Sequence, residues 1–182
     1  MIRTMGGIEK KQEMLLKSLI LYYKKESKLK EFLNVVCNKK DGISLRIIDY
    51  LCTNYAKTQD VVYYIDKKTP FNLFLQYRSQ LKAYSKLQFD PFRRHERITI
   101  SVPTSYSDSG TLETTVAQLN FFKWAIENDV IKYLENSEIL KKIETHMNSN
   151  SKKGIKTTPV TADTKKVASA KRHHINVTVT FK

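Results

Sequence analysis

Cysteine is scarce in this chain, and so are acidic residues. Cysteine occurs only at Cys37 and Cys52, with no C-x-x-C spacing. That argues against both a disulfide framework and a structural zinc site, and makes the cytosol or nucleus the natural compartment. Acidic residues number 18 against 32 lysines and arginines. Long apolar runs are missing too. MLLKSLILYY, Met14 to Tyr23, is interrupted by Lys17 and falls far short of the ~20 apolar residues that span a bilayer. It also lacks the small-residue cleavage site of a signal peptide, so a soluble, unexported protein is expected. Neither H-E-x-x-H, nor a G-x-S-x-G elbow, nor a phosphate loop of the G-x-x-x-x-G-K type occurs, and there is no internal repeat.

What is present is one core's worth of chain: 182 residues, 41% apolar, enough for one domain with or without a tail. The formal charge of +14 favours polyanionic partners, nucleic acid first and an anionic membrane second.

Apolar residues from Ile8 to about Val36 recur at three and four, predicting two helices, the second capped by Ser27. SLRIIDYLCTNYAK predicts a helix capped by Ser44, with Leu45, Ile48, Cys52 and Tyr55 on one face. VVYYI, Val61 to Ile65, reads as a strand. Pro70 is placed to open a helix that continues to Asp90-Pro91. In it Phe74, Tyr77, Leu81 and Tyr84 share one face, and Arg78, Lys82 and Lys86 follow every four residues on the next. RITISV alternates as a half-buried strand, with Thr111 to Thr114 its hairpin return. Thr115 and Gln118 form a capping-box pattern. They open QLNFFKWAIENDVIKYL, a central helix with bulky residues on two arcs, in which Lys123 and Glu127 make an i,i+4 ion pair.

Composition changes after Met147. From Asn148 onward the chain holds eight lysines or arginines and one acid, Asp163, and a flexible basic segment is expected. Its end, HHINVTVTFK, alternates as a strand. The expected organisation is a helical α+β domain over 1–147, a basic linker over 148–172 and a terminal strand over 173–182. The terminal strand is expected to complete the sheet of VVYYI and RITISV, since a free apolar strand invites aggregation.

The stretch FDPFRRHERITI, Phe89 to Ile100, sets two aromatic rings around an Asp-Pro turn and then a knot of arginines. Arg93, Arg94 and Arg97, with Arg78, Lys82 and Lys86, are the densest basic group before the tail. Few acids neighbour them in the sequence, and Tyr77, Tyr84, Phe89 and Phe92 are interleaved. Arginine forks grip phosphates and aromatic faces stack on bases, so the mixture suits a nucleic-acid groove. The plainer reading is a solvated helix face beside an ordinary turn, with the inner aromatics in the core. Asp49, Asp60, Asp66 and Asp90 are the residues a metal-dependent nuclease could draw on, but scattered acids at caps and turns are commonly structural. His173-His174 is weak as a metal pair without further ligands.

Three blocks, SLRIIDYLCTNYAK, YRSQLKAYSKLQFDPFRRHERI and TTVAQLNFFKWAIENDVIKYL, occur in this order with INVTVTFK at the end. In them the chain resembles a group of uncharacterised proteins found widely in giant viruses, the nucleocytoplasmic large DNA viruses. Many members read Cys-Arg-Arg where this chain has Phe92-Arg93-Arg94, which puts a metal or redox role for the turn in doubt. The resemblance implies a viral protein made in infected cells, in the cytoplasmic viral factory or the nucleus, or packaged in the virion. It implies no catalytic residues.

The expectation is therefore a non-enzymatic nucleic-acid-binding protein with largely sequence-independent phosphate contacts. Arg78, Lys82, Lys86, Arg93, Arg94 and Arg97 would make those contacts, with Lys165, Lys166, Lys171 and Arg172 as a diffuse electrostatic arm. DNA is placed ahead of RNA; no cofactor, metal or membrane partner is expected. The alternative is a virion structural or assembly protein whose terminal strand joins viral virion or transcription proteins.

Overall fold

The computed structural model describes residues 10–66, 68–153 and 177–179. The fold is α+β and mostly helical, organised around one helix. That helix, α7 (Val116–Glu127), buries nine of its residues, so it is packed on both sides, as its two arcs require. Among the described residues six α-helices precede it: α1 (Lys10–Tyr23), α2 (Glu26–Val36), α3 (Leu45–Tyr50), α4 (Ala56–Gln59), α5 (Leu73–Ala83) and α6 (Lys86–Phe89). On one side α1 and α2 close over α7 through a chain of rings, Tyr23 to Phe32 at 5.5 Å and Phe32 to Phe122 at 5.1 Å. The buried Tyr23 hydroxyl donates to the Leu119 carbonyl at 2.8 Å. On the other side Tyr77 of α5 and Phe89 of α6 meet Trp124 at 5.7 and 5.8 Å.

Local chemistry sets several boundaries. The Ser44 hydroxyl accepts from the Ile47 N–H, and Thr115 from the Gln118 N–H at 3.1 Å, so both expected N-caps are in place. Gln118 does not return the bond to Thr115; its Oε1 accepts from the Thr114 hydroxyl at 2.7 Å. Ser27 is not a cap: α2 starts one residue before it, after Lys25. Between α3 and α4 lies a π-helical turn, Leu51–Tyr55, where Thr53 donates its hydroxyl to the Asp49 carbonyl at 2.8 Å. Such back-bonding competes with the main-chain ladder.

Two small sheets complete the fold. β1 (Val62–Ile65) pairs antiparallel with β2 (Thr69–Asn72). Pro70 therefore lies in a strand and does not open a helix. Both strands of a two-stranded ribbon are edges, where a residue without an N–H is tolerated. The helix starts three residues later, with the Asn72 side chain accepting from the Leu75 N–H at 3.0 Å. In the second sheet β3 (Arg97–Ser101) is central, antiparallel to β4 (Thr111–Thr115) and parallel to β5 (Val177–Val179). The terminal strand thus joins the chain's own sheet, next to RITIS, whereas VVYYI stays in its separate hairpin.

Two helices expected to be continuous are broken. α5 stops at Ala83 because Tyr84 is extended, and α6 begins only at Lys86. α7 stops at Asn128; Asp129 takes φ +55 and starts α8 (Val130–Leu134). Lys123 lies over the Tyr22 ring, 5.5 Å from its centre, in place of the expected pairing with Glu127. Among the described residues the last helix, α9 (Ser137–Lys153), runs past Met147, so the composition change does not end the folded part there.

Candidate nucleic-acid interface

The Asp90-Pro91 turn is anchored by one of its two phenylalanines. Phe89 is fully buried, with Tyr84 stacked on it at 5.9 Å and Phe121 edge-on at 5.6 Å. Asp90 accepts the Phe92 N–H on its carboxylate at 2.9 Å and the Arg93 N–H on its carbonyl at 3.1 Å. This Asx-type turn throws the next residue outward. Phe92 is accordingly 48% exposed, so of the two rings around the Asp-Pro turn only Phe89 pins it to the core.

The arginines that follow differ in their freedom. Arg93 donates to Glu96 at 3.1 Å with its side chain 14% exposed. Its buried Nε has no partner, a state that costs about 1–3 kcal/mol if nothing fills it. Glu96, at φ +56, is held below the usual carboxylate range chiefly by a hydrogen bond from Gln12 and also by Arg93. Arg97 donates to Glu113 at 2.6 Å and to the Arg94 carbonyl at 3.3 Å. Arg94 is exposed and has no acidic partner among the described residues. The expected shortage of neighbouring acids is therefore wrong for Arg93 and Arg97.

Arg93, Arg94 and Arg97 do come together, around one cleft of about 240 Å³. Its other walls were not anticipated as functional. Val36 and Leu45 supply an apolar side, and Thr114, Thr115 and Gln118 bring the first turn of α7 to its floor. The Thr-x-x-Gln spacing was visible in the sequence, but as a cap. Arg78, Lys82 and Lys86 do not line this cleft. They are exposed, on two helices separated by the break at Tyr84–Ser85, so their four-residue alignment does not hold across it. Arg78 lies 5.8 Å from the Phe74 ring centre, and Leu75, Leu81 and Leu87 are exposed among these cations. Lys165, Lys166, Lys171 and Arg172 lie outside the described residues, as do His173 and His174.

A second basic concavity was also missed. Lys141 and Lys142 of α9 flank Tyr55, Thr145 and His146 around about 540 Å³. Positions 142 and 146 are one helical turn apart, a spacing that could have flagged them. There the Tyr50 hydroxyl is 2.9 Å from His146 Nδ1 and accepts from Asn150 at 2.9 Å.

The four aspartates considered for a metal centre serve local roles. Asp60 accepts from Asn72 at 2.9 Å, Asp66 sits in a turn at φ +53, and Asp90 holds the arginine turn. Asp49 is half-buried, and desolvation, with the charge of Asp90 adding to it, pushes its carboxyl up to about 6. Among the described residues no three His, Cys, Asp or Glu side chains gather as a metal site would require.

Residues 8–178 match the Family of unknown function (DUF7197). The chain belongs to that family. A curated relative, "Uncharacterized protein L507" of Acanthamoeba polyphaga mimivirus, is 36% identical over 122 residues, covering 65% of this chain and 46% of the relative. The chain thus spans about half the length of the relative it matches. No solved structure matches. The giant-virus resemblance read from the three sequence blocks therefore holds, and the family is viral in context. Among the described residues no helix is long and apolar enough to cross a membrane.

Proposed function

We propose that this viral protein binds nucleic acid without catalysing a reaction, mainly through phosphates and largely without regard to sequence. The observation that carries the reading is the turn after Phe89: a fully buried ring fixes a loop that gathers Arg93, Arg94 and Arg97 around one cleft. A net charge of +14 supplies the long-range attraction. Arg78, Lys82 and Lys86 provide exposed cations nearby in the sequence, and Lys141 and Lys142 a further basic patch. Lys165, Lys166, Lys171 and Arg172, outside the described residues, add further positive charge. DNA is the first partner to test, given the large-DNA-virus setting, with the viral factory, the nucleus or the virion as the place of action.

Arg94 is the most informative position, because its removal breaks no ion pair seen among the described residues. Arg94→Ala should weaken duplex-DNA binding and flatten the slope of log K against log salt by about 0.9 if it neutralises one phosphate. An unchanged affinity and slope would remove the cleft from the interface. The assembly alternative relied on a terminal strand free to join a partner's sheet. β5 pairs with β3 on one side and is an edge of its sheet, and no observation here favours that reading over nucleic-acid binding.

A further inference from the structure

The cleft beside Phe92 has features that a generic phosphate-tracking surface does not need. Two of its three guanidinium groups are already neutralised, Arg93 by Glu96 and Arg97 by Glu113. That leaves Arg94 as the net positive charge of the cleft, enough to seat one anion there within a wider basic surface. The Arg93 guanidinium lines the same cleft, with its Nη2 held by Glu96 at 3.1 Å. A third contribution comes from α7, whose 12 residues aim the positive end of their dipole at the floor formed by Thr114 and Gln118. Gln118 accepts the Thr114 hydroxyl with its Oε1, which leaves its amide Nε2 as a donor. At about 240 Å³ the space holds a phosphate and its sugar, and the exposed Phe92 ring lies along its wall.

We propose that this cleft is a seat for a single phosphate monoester attached to a nucleoside. Arg93, Arg94 and the α7 N-terminus would hold the phosphate, with Phe92 stacking on the first base. The same chemistry is offered by the phosphorylated end of a nucleic-acid strand and by a free nucleotide. In its first form the proposal rests on the nucleic-acid reading above and adds to it a preference for phosphorylated ends.

The test is a titration of the full chain with fluorescent single strands of equal length and sequence carrying a 5′-phosphate, a 3′-phosphate or hydroxyl ends, alongside calorimetry with a nucleoside monophosphate and with inorganic phosphate. The expected result is roughly tenfold tighter binding of one phosphorylated end than of the hydroxyl-ended strand, abolished by Arg94→Ala. Phe92→Ala should weaken nucleotide binding several-fold while leaving inorganic phosphate unaffected. Nucleotide binding without strand binding would support the seat and overturn the nucleic-acid reading. Equal, salt-sensitive binding of all three strands, with no nucleotide or phosphate binding, would overturn the seat and leave the nucleic-acid reading intact. If phosphate alone binds at millimolar strength and Phe92→Ala changes nothing, the nucleoside part of the proposal fails.

Discussion

Phe89 and Phe92 stand three residues apart around one Asp-Pro, yet truncating them should have very different consequences. Phe89 is fully buried, with four aromatic neighbours, Tyr77, Tyr84, Phe121 and Trp124, at 5.6 to 6.0 Å between ring centres. Phe89→Ala removes a buried ring and leaves a cavity among rigid aromatics that cannot collapse easily, which costs about 3–5 kcal/mol. The lost ring–ring contacts place it toward the upper end of that range. Phe92, 48% exposed, buries only about half of what a core phenylalanine does, so Phe92→Ala should cost about 1 kcal/mol, well below Phe89→Ala. The chain has one tryptophan, Trp124, and its ring centre is 5.8 Å from that of Phe89. Urea unfolding followed by its fluorescence therefore reports on the affected site directly. Domains hold only about 5–15 kcal/mol in total, so Phe89→Ala should shift the midpoint strongly without a large change in slope. Equal costs for the two variants, or a Phe89→Ala cost below about 1 kcal/mol, would refute the claim that this ring anchors the arginine turn.

Further outcomes follow from other sites. Asp49 has its carboxyl raised from an ordinary value near 3.8 to about 6, chiefly by desolvation, so its proton favours the folded state. The stability it contributes is fully present below about pH 4 and is lost as pH rises through about 6. Asp49→Asn should therefore stabilise the fold at pH 8 by about 1 kcal/mol, discounted because the group is only half-buried, and change little at pH 4; equal effects at both pH values in chemical denaturation would count against this. Gly42, at φ +71 with Leu140 Cδ2 only 2.8 Å from where a Cβ would sit, should lose about 1–2 kcal/mol on substitution by alanine from backbone strain alone, measurable as a lowered melting temperature. Cys52 is fully buried and Cys37 is not, so a thiol reagent should modify Cys37 first and Cys52 only as the fold opens, whereas equal rates would contradict the packing. Deleting Ile175 to Lys182 removes three β-ladder pairs and should cost roughly 1–3 kcal/mol in thermal or urea unfolding; an unchanged stability would place β5 outside the fold.

Much of the architecture was legible because the apolar periods are strong. The two arcs of α7, the caps at Ser44 and Thr115 and the β3–β4 hairpin follow from local pattern, and the terminal strand joins the sheet of RITIS as expected, though without VVYYI, which pairs in its own hairpin. The failures have physical reasons. Pro70 suits both a helix start and an edge strand, and only pairing with Tyr64 decides between them. The 74, 77, 81, 84 spacing runs unbroken through Tyr84, but that residue is extended and its ring stacks on Phe89, a tertiary choice that no period records. At the candidate site, Glu96 was within three residues of Arg93 and could have been read as its partner. Glu113 could not, because its approach to Arg97 comes from the antiparallel register, which sets Thr99 opposite Glu113 and Arg97 opposite Thr115. The cleft itself joins α2, α3, the turn, both hairpin strands and α7, an assembly that only the fold brings together.

The central claim is tested most directly by fluorescence-anisotropy titration of the purified chain against single- and double-stranded DNA and RNA of equal length over a range of salt concentrations. The account predicts tight binding at low salt, with log K falling linearly and steeply against log salt. Absence of binding at low salt to every form would contradict it and reduce the arginine cleft to a solvated, ion-paired surface.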